Sequence, residues 1–211
     1  MTFVLVLNGE IRDYTFYQPC LGNGVRVVCC DGGLRHAEGL RVTPCAIVGD
    51  MDSADEGMVK AYAGQGAAIL RFPARKDATD GELALRWALD EGADEILIFG
   101  WQGSRFDHVL GNLHLLVLAR QAGVSACLVN ETNTVRVIDR EALLRGRKGD
   151  LVSLLPLTQQ VTGIWTEGLE YPLRGETLAL GPGRGVSNVM AGTHAAVRVE
   201  SGLLAVVESR D

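Results

Sequence analysis

The chain has 211 residues, a net charge of −6, and 47% hydrophobic against 22% charged residues, an ordinary balance for a soluble globular protein. The acidic balance argues against a broad nucleic-acid surface, and no apolar run approaches the ~18 to 20 residues that span a bilayer. Its length suits one large domain, or one domain with a smaller companion.

The start, "MTFVLVLNGEIRD", lacks a basic n-region and meets the polar pair Asn8-Gly9 after one strand's length. It reads as a first β-strand and predicts no signal peptide. The next apolar runs are "VRVVCC", "CAIVGD", "AAILRF", "EILIFG" and "SACLVN", each bounded by Gly, Asp or Pro. Cys29 and Cys30 are neighbours in one such run, so their side chains point to opposite faces and cannot share a metal. With five cysteines, no CxxC and no histidine at zinc-ligand spacing, the expectation is reduced structural thiols in a cytoplasm.

Helical stretches lie between these runs. "TDGELALRWALDEG" carries a capping-box pattern from Thr79 to Glu82, ahead of Leu85, Ala88 and Leu89 on one face. "RFDHVLGNLHLLVLARQAG" places Phe106, Leu110, Leu113 and Val117 on one face and stops at Gly123. Apolar strands alternating with helices predict an α/β fold, a mostly parallel sheet with helices on both faces.

The pattern changes near "LLRGRKGD". Beyond it, "DLVSLLPL", "GIWTEGLEYPL", "ETLALG", "HAAVRVES" and "LLAVVES" read as short strands separated by turns. The expected division is an α/β domain over 1–142 and a small all-β domain over 148–211. A unit of that size buries only ~60% of its unfolded surface and should lean on the first domain or on another subunit.

The carboxylates follow the strands. Asp31 ends "VRVVCC", Asp50 and Asp52 end "CAIVG", Asp77 and Asp80 lie in "RKDATDGE", and Asp107 follows "EILIFG". In an extended chain, Asp50 and Asp52 face the same way, and two like charges held so close call for a cation between them. Any one of these aspartates has an ordinary explanation as a helix cap or turn former. Their repetition at four strand ends points to one shared site at the carboxyl edge of the sheet, where open α/β sheets bind ligands. Without histidine or cysteine ligands, such a site suits Mg²⁺ carrying a nucleotide's phosphates.

"DGGLRHAEGLRVTPCAIVGDMDS", "KDATDGELAL", "GSRFDHVLGNL", "GLEYPL" and "GVSNVM" occur in the order seen in thiamine pyrophosphokinases, and from Asp31 onward the chain resembles that family. The resemblance implies an N-terminal α/β domain that handles ATP and Mg²⁺, and a C-terminal β-sandwich that binds thiamine. It implies a homodimer with active sites at the subunit interface. The implied reaction transfers the diphosphate of ATP to the hydroxyl of thiamine, giving thiamine diphosphate and AMP. By the same resemblance Asp50, Asp52 and Asp77 or Asp80 bind magnesium, and Asp31 belongs to that acidic site. Arg105 and Asp107 match an "RxDH" element beside the reacting groups. Ser187 and Asn188 match a pair that contacts the aminopyrimidine, and Tyr171 stands where relatives carry an aromatic that packs on the vitamin.

Two departures stand out: Trp101-Gln102 where relatives have small residues, and Met51 where Phe is common. The physical reading agrees with the resemblance. An acidic site suits the permanently cationic thiazolium, and an aromatic face adds ~1 to 2 kcal/mol of cation–π attraction when desolvated. Asp107 is one of six carboxylates able to take the hydroxyl proton.

"GPGRGVSN" has no helix after it and reads as a turn, and the absence of GxxxxGK[ST] excludes a P-loop kinase. His108 reads as a helix-start residue, His114 as core-edge, and Trp87 and Trp165 as packing residues. Rival readings are a diphosphokinase for another alcohol, such as a pterin, and a non-catalytic nucleotide or thiamine sensor. The complete carboxylate set and the "SN" and "GLEYPL" elements favour the enzyme acting on thiamine.

Overall fold

A computed structural model describes residues 1–73 and 77–210. The chain forms two compact units, Met1–Glu131 and Thr132–Asp211.

The first unit holds six strands: β1 (Thr2–Val6), β2 (Arg26–Cys30), β3 (Ala46–Gly49), β4 (Ala68–Arg71), β5 (Glu95–Phe99) and β6 (Ser125–Val129). All their pairings are parallel, in the order β6-β5-β1-β2-β3-β4. The chain winds outward from β1 to β4, then returns to β5 on the other side of β1. The strand order therefore reverses between β1 and β5, which creates a crevice at their carboxyl ends.

Helices α1 (Tyr14–Tyr17), α2 (Ala37–Leu40), α3 (Glu56–Gly64), α4 (Asp80–Asp90) and α5 (Phe106–Gln121) pack around the sheet. Alternation along β1 serves both faces. Val4 and Val6 join a core with Tyr17, Leu34, Ala37, Leu40 and Val59, whereas Phe3 meets Trp87 of α4 edge-on at 6.0 Å. Each such side chain contributes roughly 1.5 to 3 kcal/mol by leaving water. Cys29 lies in the first core and Cys30 is buried on the opposite side of the strand. None of the five cysteines is in a disulfide, and burial pushes the Cys29 thiol up to about 12.

α4 starts as expected: the Thr79 hydroxyl accepts from the Glu82 amide at 3.1 Å. Glu82 does not complete the box, because its carboxylate pairs with Arg86 at 2.9 Å one turn on. The apolar face expected for α5 is corrected. Leu115, Leu116 and Ala119 are buried, while Phe106 is 70% exposed and Leu110 is also exposed. α5 is apolar nearly all round, so its periodicity did not select a face.

The second unit is a β-sandwich. Strands β7 (Asn133–Ile138), β8 (Glu141–Arg145), β9 (Leu151–Pro156), β10 (Gln160–Glu167), β11 (Arg174–Ala179), β12 (Asn188–Val189), β13 (His194–Arg198) and β14 (Leu204–Ser209) pair only antiparallel. One sheet runs β12-β9-β14-β7 and the other β11-β10-β13-β8. They share a core that includes Leu144, Leu154, Val161, Ile164, Val197 and Val206.

The compact units part ahead of the expected 142/148 division, because β7 and β8 belong to the sandwich. The alternation in "NTVRVI" was a readable strand signal, whereas "EALLR" has the composition of a helix. The strand expected over "GIWTEGLEYPL" ends at Glu167, so Tyr171 stands on a loop rather than in a sheet. Trp165, expected to pack, is half exposed, and His114 is exposed.

Candidate active site

The acidic site starts with the turn after β2. Asp31 has a φ of 44° and is 8% exposed. The following turn sits hard against β1: a Cβ on Gly33 would lie 2.2 Å from the Val6 carbonyl oxygen. At the end of β3, Gly49 has a φ of 151°, and a Cβ there would lie 2.9 Å from the Asp31 Cβ and 3.3 Å from an Asp80 carboxylate oxygen. The missing side chain at Gly49 is what lets Asp31 and Asp80 crowd the end of β3.

Asp50 and Asp52 converge, but not through an extended strand. Met51 between them is left-handed, with a φ of 66°, and the chain bends from 51 to 54. The Asp52 amide donates to Asp50 Oδ1 at 3.2 Å, and the Ser53 amide donates to Asp31 Oδ1 at 3.3 Å. The Ser53 hydroxyl donates to Asp52 Oδ1 at 2.8 Å. The result is a cluster in which Asp31, Asp50 and Asp52 each offer an oxygen within 4.8 Å of the others. Among the described residues, non-glycine positive φ occurs only at Asp31, Arg41, Met51 and Ser187. Such conformations cost of order 1 to 3 kcal/mol each and gather at functional sites.

The other predicted residues of this unit lie outside that trio. Asp80 is the first residue of α4, half-buried beside Gly49. Asp77 is exposed, and Lys76 before it lies outside the described residues. Arg105 and Asp107 open α5, with Nη2 at 2.5 Å and Nε at 3.2 Å from the carboxylate. That hydrogen bond holds the Asp107 carboxyl below the usual range.

Sequence reasoning missed the contacts that fix the crevice. The Gly9 amide donates to the Gly100 carbonyl at 2.7 Å, and the Glu10 amide to the Gln102 carbonyl at 2.7 Å. Asn112 donates to the Trp101 carbonyl at 2.7 Å, and Asn130 to the Gln102 side-chain oxygen at 2.8 Å. Trp101 and Gln102, the departures from the family pattern, are thus built into a held loop. His36 is buried: its Nδ1 is hydrogen-bonded to the Tyr14 hydroxyl at 2.9 Å, and its Nε2 lies 3.0 Å from the Gly9 carbonyl and 3.3 Å from Arg35 Nε. Burial lowers its pKa below 6.5. Nothing in the sequence around "DGGLRH" signalled this tie.

The second unit carries a groove of about 500 Å³, lined by residues that include Leu154, Glu170, Tyr171, Arg184, Ser187 and Asn188. It brings together all three residues expected to meet the vitamin. Among the described residues the Tyr171 side chain makes no hydrogen bond or ring contact, and the residue is 67% exposed. Ser187, left-handed at a φ of 59°, has its amide anchored on the Ser153 hydroxyl at 3.0 Å. Asn188 is buried, and its amide is bonded to the backbone of Tyr171. "GPGRGVSN" is the turn region leading into β12, as expected.

Comparison with known proteins divides the chain in the same way. The family model for the thiamin pyrophosphokinase catalytic domain matches residues 17–128, and that for the thiamin pyrophosphokinase vitamin B1 binding domain matches residues 132–204. The chain is similar to the thiamine pyrophosphokinase of Bacillus subtilis, 28% identical over 172 residues, which cover 81% of this chain and 80% of the relative. A crystal structure of thiamine pyrophosphokinase from Bacillus subtilis matches over 100% of both chains, with a TM-score of 0.88 at 27% identity. One from Geobacillus thermodenitrificans matches with a TM-score of 0.84 at 28% identity, covering 100% of this chain and 98% of the other. With each family model falling inside one compact unit, the chain belongs to the thiamin pyrophosphokinase family, its catalytic domain followed by its vitamin B1 binding domain.

Proposed function

We infer that the protein is a thiamine pyrophosphokinase, transferring the diphosphate of ATP to the hydroxyl of thiamine to give thiamine diphosphate and AMP. The observation that carries this reading is the pairing of an all-oxygen acidic cluster in the catalytic unit with an aromatic-edged groove in the vitamin-binding unit.

Asp31, Asp50 and Asp52 fit Mg²⁺, since three converging carboxylates without nitrogen or sulfur donors suit a hard cation. Asp80, beside them, and Asp77 are candidate further ligands. When bound, Mg²⁺ supplies neutralisation of charge on the phosphate oxygens. Arg105 presents its remaining N–H groups to the same charge. Asp107, held by Arg105, is a weak base and suits a late proton transfer, when bond formation to phosphorus has made the hydroxyl acidic. In the groove, Tyr171 offers its ring to the cationic vitamin, and Ser187 stands in the wall expected to meet the aminopyrimidine, with the buried Asn188 beside it. The five cysteines, none of them in a disulfide, agree with work in a cytoplasm, and among the described residues no helix is long and apolar enough to cross a membrane.

The test is product identity. Pure protein with ATP, Mg²⁺ and thiamine should give AMP and thiamine diphosphate in equal amounts, and none when the metal is chelated. ADP with thiamine monophosphate would overturn the reading.

We propose further that the enzyme is a homodimer with its active sites at the subunit interface, each taking its carboxylates and its groove from different subunits. Two-fold dimers are the commonest closed assembly. If Asp50→Asn and Tyr171→Ala proteins are mixed at low thiamine and allowed to exchange, about a quarter of the sites should recover. No recovery, with exchange shown independently, would contradict shared sites.

A further inference from the structure

We propose that Asn188 is a positioning residue that fixes the Tyr171 loop, rather than a group that holds the vitamin. Its effect on thiamine rests on the reading of the groove given above; its effect on the loop does not.

Asn188 is 9% exposed and its carboxamide is already engaged. Oδ1 accepts from the Tyr171 amide at 3.1 Å and from the Val189 amide at 2.8 Å, while Nδ2 donates to the Tyr171 carbonyl at 2.7 Å. One side chain therefore satisfies both backbone groups of Tyr171, as a neighbouring strand would. An asparagine has four hydrogen-bonding positions, and these contacts use three. The remaining N–H is all that it could offer a ligand. The amide cannot be turned round, since that would set oxygen against the Tyr171 carbonyl and N–H against its amide.

The surroundings make this bond consequential. Glu170 donates its amide to the Val189 carbonyl at 2.9 Å, and Leu173 donates its amide to the Thr166 hydroxyl at 2.8 Å. The loop is thus tied on either side of Tyr171, and Asn188 supplies the tie at Tyr171 itself. Among the described residues no hydrogen bond or ring contact holds the exposed ring, so its direction is inherited from the backbone that Asn188 fixes. A preset aromatic surface loses less freedom when it binds a flat ligand. Ser187 differs from its neighbour: its backbone is anchored, and its hydroxyl has no protein partner among the described residues. The polar contact to a ligand falls to Ser187.

Two measurements test the assignment. Hydrogen exchange at the Tyr171 amide, without ligand, should rise about tenfold or more in Asn188→Ala, as expected for losing the bonds that close it. Unchanged exchange would overturn the brace, whatever the groove binds. The second is a double-mutant cycle on the KM for thiamine. Asn188→Ala should raise it about tenfold with Tyr171 present and less than twofold in the Tyr171→Ala background, with the KM for ATP unmoved in both. Equal increases in the two backgrounds would mean that Asn188 touches the vitamin directly and would overturn the proposal. Should Asn188→Ala fail to fold, Asn188→Asp keeps the two accepted bonds and loses the donated one. It should then show a smaller rise with the same dependence on Tyr171. A wild-type protein that does not turn over thiamine would remove the reading of the groove, and the exchange experiment would still decide the brace.

Discussion

The acidic cluster of the catalytic unit and the groove of the vitamin-binding unit are built by different means. In the catalytic unit the backbone does the positioning: Gly33 and Gly49 admit contacts that no side chain allows, and Asp31 and Met51 take left-handed conformations. The carboxylates converge because their loops leave adjacent strands β2 and β3. In the vitamin-binding unit side chains do it: Asn188, Thr166 and Ser153 pin a loop and a turn between antiparallel strands. A parallel sheet brings its strand ends together at one edge, so its loops need little more than room to approach. A sandwich loop has no such edge and needs individual hydrogen bonds.

This difference is open to breaking, and the largest effect should come from the backbone-built half. Asp52→Asn should lower turnover by at least roughly a hundredfold through loss of a metal ligand and of charge, with the fold intact. Removing one of three crowded carboxylates relieves repulsion, so the apo-protein's melting temperature should hold or rise. Near-normal turnover at limiting Mg²⁺ would remove Asp52 from the metal site.

A smaller effect separates the two units by their response to acid. His36 has its pKa lowered from 6.5, by burial first. Its contribution to stability is therefore present above 6.5 and lost as pH falls through the lowered folded value. Glu208, in the sandwich, is shifted the other way: burial raises its pKa from 4.5 against the pull of Arg136. Its contribution is full below 4.5 and lost as pH rises through the folded value. Acid should therefore loosen the catalytic unit first. The fall in melting temperature between about pH 7.5 and about pH 5.5 should be smaller in His36→Gln than in the wild type. An equal fall in both proteins would show that His36 does not carry it.

How much of this could be read beforehand follows from the same contrast. The parallel strands and their terminal aspartates were legible, because apolar runs and acidic strand ends are local patterns. The way Asp50 and Asp52 converge was not, because alternation described an extended chain and the turn at Met51 reversed that geometry. The tie from His36 to Gly9 joins residues distant in sequence, and no local pattern announces it. In the sandwich, Ser187 and Asn188 were legible only as a resemblance. Nothing local separated an asparagine that meets a ligand from one bonded to the Tyr171 backbone. α5 defeated a periodicity argument because apolar residues surround it.

The division of labour between the two units is tested most directly by calorimetric titration of the wild type, Asp52→Asn and Tyr171→Ala. Each would be titrated with thiamine and, separately, with a non-hydrolysable ATP analogue and Mg²⁺. Asp52→Asn should lose the metal–nucleotide complex and keep its affinity for thiamine. Tyr171→Ala should bind thiamine about tenfold more weakly, as loss of a ring worth ~1 to 2 kcal/mol requires, and keep the nucleotide. Equal loss of both ligands in both variants would contradict the account.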